Sequence, residues 1–520
     1  PNLRKEFLQG LADTAALEGN SSAEKIYQRL LNVELRRDCY DVLRQYFKPP
    51  HRGGISRILL PEGSGDNLTW REELDGSSIE IAVTEHCAKH FAQAAGTPFT
   101  IDPLKTILGP HGTNAEATDL LNGVHDIQQY PILNATRELL NQLQRPANLR
   151  DVPEIDSILT VEDLKACYLH WGEGISTSPS GRHLGHYRAL IASHGLPPDT
   201  DDPVGSFQAR MLAIDTAFLN ICIANGYSVE RWCLVINCLI EKEPGTPKIN
   251  RLRVIHLYEA DYNLILKIMW RRLLQHVDKN DALLPDQGGS RPGRSAIEVV
   301  VLKQFTYMYA HMLHTALGCF DNDAMACYDR VIPALAMAAC RRLGLPTCLA
   351  DLNTTMLQQA KYRVKTLIGI AEIFFLCLYG TGQGAGNSPM IWFAVSLLLI
   401  GGMASLCTGI TVTSPTGKNT ATRNMDAFVD DSTTWVSSFD DPLCTPRALG
   451  KKLKQSAQTW EQLLSGSGGR LQLSKCFFYL MCWKWDSEGK PSLMTNTEIS
   501  YKQLTLPRKR KGENTRDTRP

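Results

Sequence analysis

Three carboxylates, two of them adjacent, fall within a short run of strand-forming residues. Residues 426–435 read DAFVDDSTTW, and the Phe, Val, Thr and Trp residues around the carboxylates favour a strand. Asp430 and Asp431 stand where two strand runs meet, which predicts a hairpin tip. Adjacent carboxylates repel each other by roughly 4 kcal/mol at about 4 Å and an effective dielectric constant near 20, so a proton, a basic side chain or a cation must relieve them. An Asp-rich turn in solvent is the alternative.

A second acidic cluster lies at residues 319–333, which read CFDNDAMACYDRVIP. A strand is predicted before it and a helix after it, so Asp321, Asp323 or Asp329 would stand at a strand end. Between the clusters lies GTGQGAGNSPMIW (380–392), a Gly-rich loop whose backbone can approach a flat ligand closely. Two Mg²⁺ ions, or Mn²⁺ in their place, would relieve the carboxylates and stabilise both oxygens of a phosphoryl transfer.

The bulk composition is that of an ordinary globular protein. The chain has 520 residues, 43% of them hydrophobic, and a net charge of +1, so any polyanion site must come from local clustering. The 15 cysteines include no CxxC pair, which favours reduced thiols in an intracellular protein, in the nucleus or the cytoplasm. The chain begins at Pro1 without a charged-then-apolar leader, which predicts a piece of a longer reading frame.

Two further segments have features of a membrane span and of a zinc site, respectively. Residues 373–417 contain no Asp, Glu, Lys or Arg and include MIWFAVSLLLI, but two glycines interrupt the apolar run. We therefore predict a buried core helix there and no membrane span. His86 and His90 flank Cys87 at helical spacing, but no further ligand follows at zinc-finger spacing, which favours a helix face over a zinc site.

The N-terminal third is predicted to be helical. Ser21 and Glu24 have the spacing of a capping box at the start of one helix, and residues 84–91 predict another. The Pro-rich and charged residues 143–156 have the composition of a linker. We therefore predict a helical N-terminal extension over residues 1–150.

Three basic turns follow the predicted linker. Thr160 and Asp163 can cap a helix that leads into the first turn, within residues 171–190, and the others lie within 241–257 and 284–300. Each combines Gly, Pro or Ser with several basic side chains. Such turns favour phosphate contacts, and solvated surface loops are the alternative.

The sequence resembles the reverse transcriptase domain of non-LTR (LINE-like) retrotransposons, which is related to group II intron enzymes. The resemblance covers roughly residues 160–500 and keeps the family's motif order. The matching segments are RLRVIHLYEADYNLILK (251–267), QGGSRPGRS (287–295), the spacing of Asp323, Tyr328 and Asp329, GQGAGNSP (382–389), FVDD (428–431), GGRLQLSKC (468–476) and CWKWDSEGK (482–490). The departures are Val254, Ser290 and Gly382, where the family usually has Pro, Phe and Arg.

The resemblance implies a fold and an activity. The expected fold is an α+β right-hand polymerase, with an antiparallel-sheet palm at residues 316–500, a fingers-like region at 151–315 and the helical N-terminal extension. Residues 501–520 would form a basic tail. The implied activity is RNA-directed DNA synthesis by a retrotransposon enzyme, in which two metal ions support nucleotidyl transfer from a dNTP to a primer 3′-hydroxyl. An RNA template and a DNA primer are the implied partners.

The resemblance also assigns roles to residues. Asp323, Asp430 and Asp431 are the implied metal ligands, and Lys475 is the further catalytic residue. The implied nucleotide-binding residues are Arg253 with Lys242 or Lys248 at the triphosphate, Tyr328 beneath the sugar, and Gln383 against nucleotide and template. The implied template and primer contacts are Arg182, Arg291, Arg294 and Ser388.

Two alternatives stay open. The chain could be a catalytically inactive relative that binds nucleic acid, or an RNA-dependent RNA polymerase with the same palm. The intact carboxylates and Lys475 favour an active enzyme. The aromatic ring at Tyr328 favours deoxynucleotides, because a ring packed against C2′ leaves no room for a hydroxyl group.

Overall fold

A computed structural model describes residues 2–32, 55–63, 67–171, 179–182, 184–192, 203–367, 369–438, 444–495 and 498–499. The chain divides into two compact units. The first comprises Pro1–Ile79, Glu241–Leu252 and Lys365–Gly369, and the second comprises Glu80–Ile240, Arg253–Val364 and Ile370–Pro520. The boundaries predicted near residues 150 and 315 therefore fall inside the second unit. The predicted tail, 501–520, lies outside the described residues.

Helices occur along the whole described chain. They are α1 (Asn2–Leu17), α2 (21–32), α3 (Gly76–His90), α4 (Leu104–Leu108), α5 (Ala115–Leu121), α6 (Asn134–Gln142), α7 (Val161–Leu169), α8 (Leu184–Ala189), α9 (Pro203–Ala224), α10 (Ala260–Lys279), α11 (Ala296–Met312), α12 (Pro333–Arg341), α13 (Thr347–Gln359), α14 (Ser388–Leu406) and α15 (Pro446–Gly466). The predicted capping box of Thr160 and Asp163 is confirmed at the start of α7. The cap predicted for α2 is wrong, because Asn20, one residue before Ser21, accepts the backbone N–H of Ala23 at 3.1 Å.

The strands form antiparallel sheets, which confirms the mixed α and β class. They are β1 (Ile58–Glu62), β2 (Thr69–Glu73), β3 (Leu234–Glu241), β4 (Leu252–Leu257), β5 (Leu317–Asp323), β6 (Lys361–Lys365), β7 (Ile370–Phe375), β8 (Ile410–Thr413), β9 (Thr420–Arg423), β10 (Met425–Phe428), β11 (Asp431–Ser437), β12 (Phe477–Met481), β13 (Trp483–Trp485) and β14 (Pro491–Leu493). One four-stranded sheet has the order β10-β11-β5-β12 and the other has β4-β3-β6-β7. The pairs β1–β2, β8–β9 and β13–β14 form two-stranded sheets.

Strand β5 is an interior strand of the β10-β11-β5-β12 sheet, and its side chains point to both faces of that sheet. Side chains alternate along a strand, so Asp321 and Asp323 share one face while Asn322 points to the other. Helix α15 covers the Asn322 face, where Trp460 Nε1 donates to Asn322 Oδ1 at 2.7 Å. Gly318 lies on that face too, and a β-carbon there would stand only 2.9 Å from Val436 Cγ2. Helix α11 and the segment around Lys475 lie on the face that carries the aspartates.

Helix α14 is the apolar helix predicted between the acidic clusters, and its predicted burial is confirmed. Two described helical segments, Gly205–Ala224 in α9 and Ser388–Leu406, are long and apolar enough to cross a membrane by length and composition alone. The α14 segment is 78% buried and the α9 segment 28% buried. Close packing explains the glycines of α14, because a β-carbon on Gly402 would stand 2.8 Å from Leu463 Cδ2 of α15.

Asp426, the first carboxylate of the DAFVDDSTTW segment, is a core residue. It is only 5% exposed, and its carboxylate pairs with the Arg423 guanidinium. Trp435 Nε1 donates to its other oxygen at 2.8 Å. A buried charge needs such partners, because desolvation penalises an unpaired carboxylate. Asp426 therefore supports the hairpin, while Asp430 stands at its tip and Asp431 directly after it.

We expect Asp426→Ala to lower the free energy of unfolding by about 3–5 kcal/mol, because the change leaves the Arg423 charge without its partner. Urea denaturation followed by circular dichroism measures this effect. Glu461→Ala, at an exposed position of α15, is the control and should change stability by less than about 0.5 kcal/mol. Equal denaturation midpoints for the two variants would contradict the structural role of Asp426.

Candidate active site

Three carboxylates meet where β5 and the β10–β11 hairpin end. Val429 and Asp430 form the hairpin tip and Asp431 opens β11, so the predicted hairpin is confirmed. Antiparallel pairing places Asp431 directly opposite Asp323, the last residue of β5. Ala324 N lies 3.4 Å from the backbone oxygen of Asp430, which ties the tip to the chain leaving β5. The register thus brings together Asp323, Asp430 and Asp431, as predicted.

The positive charge beside these three carboxylates does not balance their negative charge. Burial raises the pKa of Asp430, and the charges of Asp431 and Asp323 raise it further. A backbone hydrogen bond and the Lys475 charge offset this only partly. The ammonium of Lys475 pairs directly with Asp323 Oδ2. That hydrogen bond, with the neighbouring aspartates, raises the pKa of Lys475 and keeps it cationic. One lysine therefore faces three carboxylates, and a further cation would stabilise them.

The segment that carries Lys475 lies along the end of β5. Met325 N donates to the backbone oxygen of Arg470 at 2.7 Å, and Gln472 N donates to that of Asp323 at 2.9 Å. A 3₁₀ turn over Leu473–Lys475 follows. The Lys475 side chain is 68% exposed, so it reaches Asp323 from the solvent side. A side chain in this position can leave the carboxylate without disturbing the core.

A second lysine–aspartate pair lies beside the first and was not predicted. Lys303 of α11 pairs with Asp321 and lies 3.2 Å from Thr433 Oγ1. Thr433 in turn donates to the Asp321 carboxylate. The sequence offered one signal, since Asp321 stands two residues before Asp323 and must share its face. The partner on α11 could not be found without the tertiary fold.

The hairpin tip is held by contacts that we call the hairpin clamp, formed by Gln287 and Trp392 on the backbone of Val429. Gln287 is 1% exposed, and its Oε1 accepts the Val429 N–H at 3.2 Å. Trp392 Nε1 donates to the Val429 carbonyl at 2.7 Å. Val429 has φ +60°, which is unusual for a β-branched residue. Gln287 opens the segment at residues 287–295 that resembles the family, but the sequence alone predicted no role for this residue.

The segment before α11 follows the hairpin closely. Gly288 N donates to the Ala427 carbonyl at 2.8 Å, and Ala427 N donates to the Asp286 carbonyl at 2.7 Å. A β-carbon on Gly289 would stand 2.3 Å from Val429 N, so only glycine fits there. The predicted basic turn therefore has a packing role at the hairpin, whatever its arginines bind.

Tyr328 lies in a 3₁₀ turn over Cys327–Asp329, just beyond the carboxylates. Its ring is half-buried, with its centroid 6.4 Å from that of Trp392. Its backbone oxygen accepts the Thr381 N–H at 3.0 Å, which joins the turn to the Gly-rich loop. Asp329 is buried and lies 2.9 Å from His90 Nε2. His90, considered above for zinc, is thus a partner of Asp329.

The Gly-rich loop packs tightly against β4. Gly382 and Gly384 have positive φ, and β-carbons on them would stand 2.2 Å from Tyr258 Oη and from the His256 carbonyl, respectively. The Gln383 carbonyl accepts the His256 N–H at 2.7 Å. These glycines therefore make room for protein atoms. The close approach to a flat ligand, predicted from the same glycines, stays a prediction.

The remaining predicted binding residues lie outside this cluster. Ser388 is 3% exposed and donates to the Gly382 carbonyl at 2.7 Å, so its hydroxyl supports the loop. The others are Arg182, 3.2 Å from Tyr187 Oη; Arg291, 3.6 Å from Asp278; Arg294, 2.9 Å from Glu298; and Arg253, exposed on β4. Lys242 and Lys248 belong to the first unit, where Lys248 Nζ lies 4.8 Å from the Trp70 ring centroid. Their predicted contacts with nucleotide and nucleic acid stay predictions.

Two of these carboxylates, those of Asp323 and Asp431, line a cleft of about 410 Å³. Its lining includes Asp321, Asp323, Asp431, Lys303 and Lys475, together with apolar side chains that include those of Val300, Phe428 and Phe477. Within the described ranges, no three His, Cys, Asp or Glu side chains converge as ligands of one ion. The donor set nevertheless fits a hard divalent cation in kind, because carboxylate oxygens are its preferred ligands and burial, together with like charge, raises the pKa of Asp430.

No protein-family model matches the chain, and no curated protein matches it either. The family inferred from the motifs therefore stays a prediction.

The raised pKa of Asp430 predicts how stability depends on pH. The folded state binds this proton more tightly than the unfolded state, so stability falls as pH rises through the raised pKa of Asp430. Because Asn resembles the protonated acid, Asp430→Asn should be more stable than the wild type at pH 8. The difference should shrink as the pH falls towards 4.

Denaturant unfolding in EDTA-containing buffer at several pH values measures this difference. Asp486→Asn, at an exposed turn, is the matched control and should show no such trend. A variant less stable than the wild type at pH 8 would contradict the assigned electrostatics.

Proposed function

We propose that the chain is an RNA-directed DNA polymerase of the non-LTR retrotransposon type, which joins a dNTP to a primer 3′-hydroxyl. The observation that carries the proposal is the meeting of Asp323, Asp430 and Asp431 at neighbouring strand ends, with Lys475 beside them. Nucleotidyl transfer needs this set, because negative charge develops on both the attacking and the leaving oxygen. The same four residues are the ones that the family resemblance selects.

The surrounding architecture suits the proposal. The β10-β11-β5-β12 sheet would be the palm, with α15 behind it and the cleft in front. The segments that follow α9, which include β3, β4 and the basic turn before α11, would belong to the fingers. The Gly-rich loop would link the two, since Gln383 contacts β4 and Thr381 contacts the backbone of Tyr328.

The carboxylates would hold two Mg²⁺ ions, or Mn²⁺, and these ions would supply charge stabilisation at the reacting oxygens. Lys475 would then release Asp323. Its ammonium, kept cationic by the neighbouring charges, would stand close enough to protonate the departing pyrophosphate. A positioned general acid typically contributes about 10²–10⁴-fold in rate. Arg253, with Lys242 or Lys248, would bind the triphosphate.

An inactive relative that binds nucleic acid is the second candidate. The direct pairing of Lys475 with Asp323 favours it, because this contact occupies a ligand needed for the metal. The meeting of three carboxylates at one strand end favours the enzyme, because metal-assisted nucleotidyl transfer uses them and nucleic-acid binding alone does not.

Asp323→Asn and Asp430→Asn should each abolish primer extension while the variants stay folded, because an amide keeps the shape of the ligand but loses its charge. Extension of a labelled DNA primer on an RNA template with dNTPs and Mg²⁺ measures the loss. Asp151→Asn, at an exposed position outside the matching segments, is the matched control and should extend normally. Near-normal extension by either site variant would refute the metal-ligand assignment.

Tyr328→Ala should relax the preference for dNTPs over NTPs by at least about tenfold, or ~1.4 kcal/mol, because the ring would no longer exclude a 2′-hydroxyl. The ratio of kcat/KM for the two substrates measures this preference. If the ring is only a core residue, the variant should instead lose about 3–5 kcal/mol of stability. A destabilised enzyme with unchanged selectivity would refute the exclusion of the 2′-hydroxyl by Tyr328 and favour the RNA-polymerase alternative.

A further inference from the structure

The residue just before Asp430 has a backbone conformation that its side chain disfavours. Val429 has φ +60°, in the left-handed region where a β-branched residue is a genuine outlier. Such conformations persist only when the surrounding structure holds them. Asp430 follows directly, so the Val429 backbone decides where the Asp430 carboxylate points.

The contacts that hold this conformation come from outside the hairpin. The Gln287 amide faces the Val429 backbone with its donor and its acceptor, since Oε1 accepts the Val429 N–H at 3.2 Å and Nε2 lies 3.5 Å from the Val429 carbonyl. Nε2 also donates to Ser396 Oγ of α14 at 3.0 Å, which fixes the orientation of the amide. Trp392, also on α14, donates to the same carbonyl of Val429.

The chemistry of this arrangement is specific to an amide. A carboxylate at position 287 could accept from Val429 N but could not donate to Ser396 or to the carbonyl. An apolar side chain could do neither and would leave the Val429 N–H without this acceptor. The Gly289 N–H also donates to Gln287 Oε1, at 2.9 Å. The glutamine side chain therefore connects its own segment to the hairpin.

We propose that Gln287 is a positioning residue that fixes the Asp430 carboxylate by holding Val429 in the left-handed conformation. The inference rests on the proposed function, because it assigns the held carboxylate to a divalent cation. Gln287 touches no reacting atom and acts only through the hairpin tip. Residues that orient a ligand in this way typically change metal affinity by about 10–100-fold when they are replaced.

The test uses the full chain and Gln287→Leu, with Gln142→Leu as the matched control. Gln142 donates to Glu138 and Ser405 on α6 and α14, away from the hairpin. Two quantities are measured: the affinity for Mn²⁺ by electron paramagnetic resonance, and the hydrogen exchange of the Val429 amide. We expect Gln287→Leu to bind Mn²⁺ at least about tenfold more weakly and to exchange this amide at least about tenfold faster. Gln142→Leu should change neither.

Gln287→Leu combined with Val429→Gly separates positioning from mere packing. Glycine adopts a positive φ without help, so the double variant should regain most of the lost Mn²⁺ affinity while the thermal stability stays lowered. Failure of this rescue, or wild-type Mn²⁺ affinity in Gln287→Leu, would overturn the proposal. If the wild type itself binds Mn²⁺ no better than Asp430→Asn, the proposed metal site fails. The Val429 amide then decides whether the clamp exists: unchanged exchange in Gln287→Leu would refute it.

Discussion

The antiparallel register of β5 and β11 is the constraint on which the rest of the site depends. It sets Asp323 against Asp431 and places Asp430 at the adjoining tip, so three like charges share one strand end. Like charges directly opposite each other destabilise a sheet. The sheet keeps this arrangement because its interior is well packed, with Trp435 fully buried on β11 and Phe320 on β5.

The surroundings of the carboxylates divide into supports and counter-charges. The hairpin clamp and the buried Asp426–Arg423 pair support the hairpin, while Lys475 and Lys303 each neutralise one aspartate of β5. Burial and the charges of Asp431 and Asp323 raise the pKa of Asp430, and the charge of Lys475 offsets this only in part. The strained backbone of Val429 costs stability, and the contacts of the hairpin clamp offset this cost. The proposed metal ions would compensate the negative charge of the aspartates that the folded chain leaves unbalanced.

Much of this arrangement could be predicted from local sequence. The strand runs around Asp430 and Asp431 predicted the hairpin, the apolar run before Asp323 predicted β5, and the length of the uncharged segment predicted α14. Contacts between distant segments could not be predicted, because no periodicity marks them. Gln287 and Lys303 are examples, since each meets its partner only after the sheet has formed. Asp426 was indistinguishable in sequence from its two neighbours, and only burial shows its structural role.

One assay on the wild-type chain decides whether these carboxylates support templated DNA synthesis. A labelled DNA primer annealed to an RNA template is incubated with Mg²⁺ and either dNTPs or NTPs, and the product is sequenced. We expect a DNA copy complementary to the template with dNTPs, little product with NTPs and none when EDTA replaces Mg²⁺. No extension, or equal extension with NTPs, would contradict this expectation.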